Sequence, residues 1–165
     1  MTDPRLDELD LRRLVATYAD GVTRRDWVGL QDLFLPDAVL HLDLVDRGVR
    51  DLSGPAEITG FIDTAVARFD FFEFVALNVL VTVPADGEAD RARLRTFMCE
   101  IRHQPAGDDG PEGWSTAYGL YQDVAERSEG TWRFAERTYR SLARTDPAAA
   151  PGGVVLPFPD LPPAP

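Results

Sequence analysis

FEFVALNVLVTV, residues 72–83, is where the chain changes its period. Upstream, outside one short alternating stretch, apolar residues recur every three or four positions; from here on they recur every two, the spacing of strands rather than helices. Three later segments keep that period: ARLRTFMCEIRH (92–103), STAYGLYQDVAER (115–127) and TWRFAERTYR (131–140). The links PADGE, QPAGDDGPEG and RSEG are short and polar, the chemistry that joins antiparallel neighbours. The second half of the chain therefore reads as four long strands.

Working back from residue 72, SGPAEITGFIDTAVARF places Ile58, Phe61, Ile62, Ala65, Val66 and Phe69 on one side of a helix with Pro55 in its first turn. AVLHLDL alternates Leu40, Leu42 and Leu44 with His41 and Asp43, which predicts a short strand with one buried face. Nearer the N-terminus, Asp3-Pro4 opens a helix carrying Leu11, Leu14, Val15, Tyr18 and Val22 on one stripe. Asp26 caps a second, shorter helix with Trp27, Leu30, Leu33 and Phe34, which Pro36 stops. This order predicts an α+β fold over residues 1–144, a curved antiparallel sheet forming a cone around three N-terminal helices and enclosing a cavity. Residues 145–165 hold seven prolines and read as a tail without regular structure. Val154, Val155, Leu156 and Phe158 are too apolar for a free linker, so the tail is expected to cover the cavity mouth or a partner subunit.

Bulk composition narrows the function classes. The 165 residues are 44% hydrophobic, enough for one compact domain with its own core. Lys plus Arg is 17 against 28 Asp plus Glu, so a formal charge of -11 argues against nucleic acid and anionic membrane as partners. A single cysteine, Cys99, excludes an internal disulfide and a multi-cysteine metal site, and MTDPRLDELD has neither a basic region nor an apolar signal run. A cytoplasmic setting is expected. No phosphate loop, dinucleotide fingerprint, nucleophile elbow or His-Glu-x-x-His motif is present, and the two histidines, His41 and His103, are far apart in sequence. No cofactor or metal is implied.

YADGVTRRDWVGLQDLFLPDAV (18–39), SGPAEITGF (53–61) and GLYQDVAERSEGTWRFAERTYR (119–140) together resemble the SnoaL-like branch of the nuclear-transport-factor-2-like superfamily. The likeness covers roughly residues 6–140 and rests on the Tyr-Ala-Asp, Arg-Asp-Trp, Gly-x-Tyr-x-Asp and Gly-x-Trp-Arg landmarks. It implies a conical pocket and a set of activities that includes polyketide cyclases, scytalone-type dehydratases, steroid isomerases and dehydrochlorinases, along with non-catalytic binding modules. Related enzymes carry acidic or histidine groups at the places of Thr23, Phe74 and Leu42, so those groups are replaced here. His103 stands where scytalone-type dehydratases have a pocket histidine, and Tyr18 where isomerases have an oxyanion donor.

Alternation along ARLRTFMCEIRH puts Phe97, Cys99, Ile101 and His103 on one face and Thr96, Met98, Glu100 and Arg102 on the other. If the first of these faces the cavity, the resemblance lines it with Leu40, Leu42, Phe74, Asn78, Cys99, His103, Gly119, Tyr121 and Asp123, with Tyr18, Val22 and Thr23 added from helix one. His103 is then the candidate general acid/base, Tyr18 and Tyr121 hydrogen-bond donors to oxyanion charge, and Asn78 an orienting group. Phe74, Leu42, Val22, Thr23, Gly119 and Cys99 are candidate substrate contacts. Each has a plainer alternative: a rim histidine, core tyrosines, a packed thiol, and for Asp123 a structural ion pair with Arg137.

The expected function is a cofactor-independent dehydratase, cyclase or isomerase acting on an apolar, oxygenated small molecule of polyketide or terpenoid type. The rival is a non-catalytic ligand-binding or dimerisation module, favoured if Phe72, Phe74 and Trp114 fill the cavity. A homodimer is expected through the sheet face opposite the cavity, carrying Thr96, Met98, Glu100, Arg102, Tyr118, Leu120 and Val124.

Overall fold

A computed structural model describes residues 4–83, 90–108 and 110–163. Helix α1 (Pro4–Arg24) buries Leu11, Leu14, Val15, Tyr18 and Val22, the stripe read from the sequence. Its expected cap, Asp3, lies outside the described residues. Helix α2 (Trp27–Gln31) begins at Asp26, whose carboxylate accepts the Gly29 amide at 3.0 Å.

This second helix is shorter than its apolar pattern predicts, because Leu33 follows it and Phe34 already belongs to strand β1 (Phe34–Asp43). Pro36 is the cause. It bars the preceding residue from helical geometry and, lacking an N–H, it sits in the gap where the ladder with strand β6 shifts between Phe34 and Val39. A turn of 3₁₀ helix (Val45–Arg47) and Gly48, at φ 89°, return the chain as strand β2 (Val49–Ser53). The sequence reading missed β2, whose only buried residue is Leu52. Helix α3 (Pro55–Val66) follows, as expected.

The four long strands are β3 (Phe71–Thr82), β4 (Arg91–Gln104), β5 (Gly113–Ser128) and β6 (Thr131–Asp146). PADGE lies outside the described residues. The strand order is β2-β1-β6-β5-β4-β3, and the fold is the expected α+β arrangement of helices against a curved, open sheet. All pairings are antiparallel except that of β1 with β6, which is parallel. Strand β1 and strand β6 are separated in the chain by β2, α3 and β3–β5 rather than joined by a hairpin, so no short link dictates their relative direction.

The tail also differs from expectation. Ala150–Val155 forms a seventh strand, β7, antiparallel to β6, with Pro151 tolerated on an outer edge. Beyond it the Leu156 amide donates to the Leu142 carbonyl (2.9 Å), Phe158 stacks on Phe97, and Arg95 donates to the Pro162 carbonyl at 2.8 Å. Phe97 and Arg95 point away from the helices, so the tail covers part of the outer face of its own sheet, not the cavity mouth.

Between sheet and helices, Tyr18 meets Phe34, Phe74, Tyr121 and Phe134 edge-on, with ring centres 5.5–6.3 Å apart. Behind these rings lies a buried ion pair: Arg137 Nε and one terminal nitrogen donate to the two Asp123 oxygens at 2.9 and 3.1 Å. The Arg137 guanidinium carbon is 4.1 Å from the centres of the Tyr18, Tyr121 and Phe134 rings. Burial works against its charge, but Asp123 together with the Tyr18 and Tyr121 phenols outweighs that, and Arg137 holds its proton more tightly than usual. Asp123 thus serves as the buried partner of Arg137, its plainer expected role.

Candidate active site

A concavity of about 240 Å³ with a largely apolar wall lies between α1, α3, β1 and the inner faces of β3–β6. Its deep end is Tyr18, Leu40, Phe74 and Tyr121, all buried. Its open side is marked by the exposed Arg47, Ala65 and Arg68. Phe72 and Phe74 line the cavity without filling it, and Trp114 is on the opposite side of the sheet, 63% exposed. Among the described residues no group of three or more His, Cys, Asp or Glu is arranged to hold a metal ion.

Which residues of β4 face this cavity is decided by register. Met98 pairs with Gly119, Glu100 with Ala117 and Thr96 with Tyr121, so the even-numbered residues of β4 share a face with the odd-numbered residues of β5. Tyr121 faces the helices; therefore Glu100 and Arg102 line the cavity, and Phe97, Cys99, Ile101 and His103 lie outside. The expected face of β4 is thus corrected. The outer face is apolar because it is covered in cis by the tail at Phe97, whereas the inner face is polar because it borders a cavity.

His103 consequently does not line the cavity. Its Nδ1 is 2.6 Å from Asp70 Oδ1, its Nε2 is 3.6 Å from Glu112 Oε1, and its ring packs on Trp114 at 5.0 Å. The imidazole in turn holds the Asp70 carboxyl below the usual range. Cys99 is also on the outer side, near Tyr118, and burial raises its thiol pKa. A bulge in β3 between Ala76 and Asn78 turns Asn78 outward, although strict alternation from Phe74 would have aimed it in. Thr23 accepts the Phe74 amide at 3.0 Å and ties α1 to β3 instead of meeting the cavity. Gly119 makes room for a ring: a Cβ there would lie 2.2 Å from Tyr139 Cε2. Of the expected contacts, Tyr18, Tyr121, Phe74, Leu42 and Val22 do line the cavity together.

The polar groups that sequence reasoning missed are Glu100, Arg102, Tyr139 and Ser141, with Arg47, Arg68 and Arg144 toward the opening. A legible signal existed: Glu100 and Arg102 are two charges spaced to share one strand face opposite an apolar one. Burial raises the Glu100 pKa, against the opposing pull of the Arg102 guanidinium 3.5 Å away. Arg102 also donates to the Thr116 carbonyl at 3.1 Å, which fixes it against the wall. Burial raises the pKa of Tyr18, Tyr121 and Tyr139, and the Glu100 charge adds to the effect at each. All three stay neutral phenols at physiological pH. The site therefore combines one carboxyl tuned toward the neutral form with a row of neutral donors, a set suited to proton transfer beside a developing oxyanion.

A family described as the SnoaL-like domain matches residues 4–138. The chain belongs to this family. No curated protein sequence matches it. Among solved structures, the SnoaL-like chain is similar to a candidate scytalone dehydratase from Novosphingobium aromaticivorans (19% identity, 88% of this chain and 91% of that one, TM-score 0.71). It is also similar to hexachlorocyclohexane dehydrochlorinase LinA-type3 from Novosphingobium barchaimii (17% identity, 94% and 97%, TM-score 0.72). A candidate aromatic ring hydroxylase from N. aromaticivorans is 27% identical over 86% of this chain and 92% of that one, with a TM-score of 0.67. The fold is shared by proteins named for different reactions, so the residues in the cavity must argue the chemistry.

Proposed function

We propose that this SnoaL-like chain is a cofactor-independent dehydratase, cyclase or isomerase acting on an apolar, oxygenated small molecule of polyketide or terpenoid type. The observation that carries the reading is Glu100: a carboxyl of raised pKa opening into a 240 Å³ apolar cavity shared with Tyr18, Tyr121, Tyr139 and Ser141. In this reading the carboxylate removes a proton from carbon next to a carbonyl. Tyr139 or Tyr121 donates to the enolate oxygen, and the protonated Glu100 returns the proton to the rearranged carbon or to a leaving hydroxyl. Arg102 opposes the rise in the Glu100 pKa by stabilising the carboxylate. Leu40, Leu42, Phe61, Ile62 and Phe74 shape the substrate and exclude water. The proposal includes a cytoplasmic homodimer.

Deuterium exchange tests the chemistry without knowledge of the natural substrate. Cyclic enones and β-diketones are incubated with the protein in D2O, and exchange of the carbon-bound hydrogen is followed by NMR. Exchange above the buffer rate, lost in Glu100→Gln, supports the reading. Exchange that Glu100→Gln leaves unchanged, or none above buffer across the panel, rejects it in favour of a binding module.

A further inference from the structure

The cavity wall carries four arginines, Arg47, Arg68, Arg102 and Arg144, against one acidic residue, Glu100, in a chain whose formal charge is -11. A pocket for a neutral apolar molecule has no need of such a reversal of sign, since each guanidinium beside a cavity pays in desolvation. Some of this charge is balanced from behind the wall. Arg144 donates to Asp46 at 2.6 Å, and Arg102 faces Glu100 at 3.5 Å. Arg68 has a contact of 3.9 Å with Asp146, whose other oxygen accepts the Ala148 and Ala149 amides. Arg47, beside Asp46 in sequence, makes no ion pair within 4 Å among the described residues. With these pairs set against each other, about one positive charge at the opening is left over.

The remaining geometry gathers that charge on one side. The Arg68 and Arg102 guanidiniums are 4.8 and 5.2 Å from the centre of the same Phe69 ring. Arg102 and Arg144 each have a buried Nε donor without an acceptor, so the hydrogen bonds of both guanidiniums rest on their terminal nitrogens. Burial and the nearby Arg68 both work against the Arg102 charge, with Glu100 as its support, so an added anion would relieve the site.

We infer that the substrate is an amphiphile: a ring-sized apolar body in the cavity bearing a carboxylate that the arginines at the opening hold. A monoanion matches the single surplus charge, and a carboxylate matches the planar fork of a guanidinium. The anchor would also fix which carbon of the body reaches Glu100, so this inference rests on the catalytic reading and adds orientation to it.

The test is a binding measurement and does not require turnover. Isothermal titration compares 2-naphthoate with the isosteric 2-naphthamide at low salt, for the wild-type chain and for Arg68→Gln, Arg47→Gln and the double variant. Both arginines are exposed at the opening, so the variants are expected to fold, which thermal melting verifies. The expected result is a preference of roughly tenfold or more for the carboxylate, weakened by salt and reduced in the arginine variants. The inference is overturned if the amide binds as tightly as the acid, if the preference survives in the double variant, or if neither ligand binds at millimolar concentration. Failure here leaves the deuterium-exchange result untouched, and the reverse also holds.

Discussion

Glu100 and His103 lie three residues apart on β4 and face opposite sides of the sheet: the carboxyl opens into the cavity and the imidazole binds Asp70 outside it. A catalytic role for one of them is therefore separable from a role for the other. Replacing Glu100 with Gln should lower proton-transfer turnover roughly 10²- to 10⁴-fold while the chain still folds. His103→Gln should leave turnover per folded molecule within about twofold. Exchange rates of the two variants, measured on the same enone, check this.

The same carboxyl predicts a dependence of stability on pH. Its pKa is raised in the folded chain, so between the ordinary Glu range and the folded value the native state binds more protons than the unfolded one. The contribution of Glu100 to stability therefore falls as pH rises through that window and stays unfavourable above it. Glu100→Gln removes the ionisation. Its melting temperature relative to wild type should rise from pH 4 to pH 8, and a difference that stays flat across that range would contradict the assigned shift.

Asp123 and Arg137 form the ion pair behind the phenols, both nearly inaccessible. Removing only the carboxylate, as in Asp123→Ala, leaves a buried guanidinium uncompensated and should cost about 3–5 kcal/mol. The double change Asp123→Leu with Arg137→Met should cost clearly less than the single one. Denaturant unfolding of the three proteins decides it.

Gly119→Ala should destabilise by about 1–3 kcal/mol, because the new methyl occupies the place of the Tyr139 ring. The ring can yield only by moving into the cavity. A lower melting temperature accompanied by weaker binding of 2-naphthoate is the expected pair of readouts; a loss of binding with unchanged melting would show that the glycine itself meets the ligand.

The outer face is only partly covered by the tail. Phe71, Trp114 and Tyr118 remain 42%, 63% and 42% exposed, and Trp114 packs on both Phe71 and His103. A patch of this kind fits the proposed homodimer, but through the face of Tyr118 and Trp114 and not through Thr96, Met98, Glu100 and Arg102, which the register turns toward the helices and the cavity. Light scattering at micromolar concentration should give twice the mass of the chain, and Trp114→Arg should halve it. A wild-type monomer would remove the homodimer from the proposal.

The fold was legible because its signals are local: a 3.6 period in the helices, a period of two at Leu40–Leu44 and again after Phe69, and polar links between. The cavity was half legible for the same reason. Tyr18, Leu42 and Phe74 lie on faces that buried neighbours define. The face of β4 was not, because it depends on how Gln104 and Gly113 close the loop between two strands, a pairing no single strand records. Asn78 was lost to a bulge and Phe34 to a proline, both local breaks of alternation or period. Strand β7 was hidden by the prolines around it, since an edge strand accepts them.

The cavity has a division of origin along the chain. Its apolar wall comes largely from residues before the β3–β4 link, whereas Glu100, Arg102, Tyr121, Tyr139 and Ser141 all follow it. Shape and acid–base chemistry are thus inherited in separate blocks, with Tyr18 the exception among the phenols. A chimera joined at that link, taking its first half from another SnoaL-like chain, would exchange the mould around the substrate while the proton-handling row stayed in place. New specificities can then arise by recombination at one point, without the simultaneous repair of two halves of an active site.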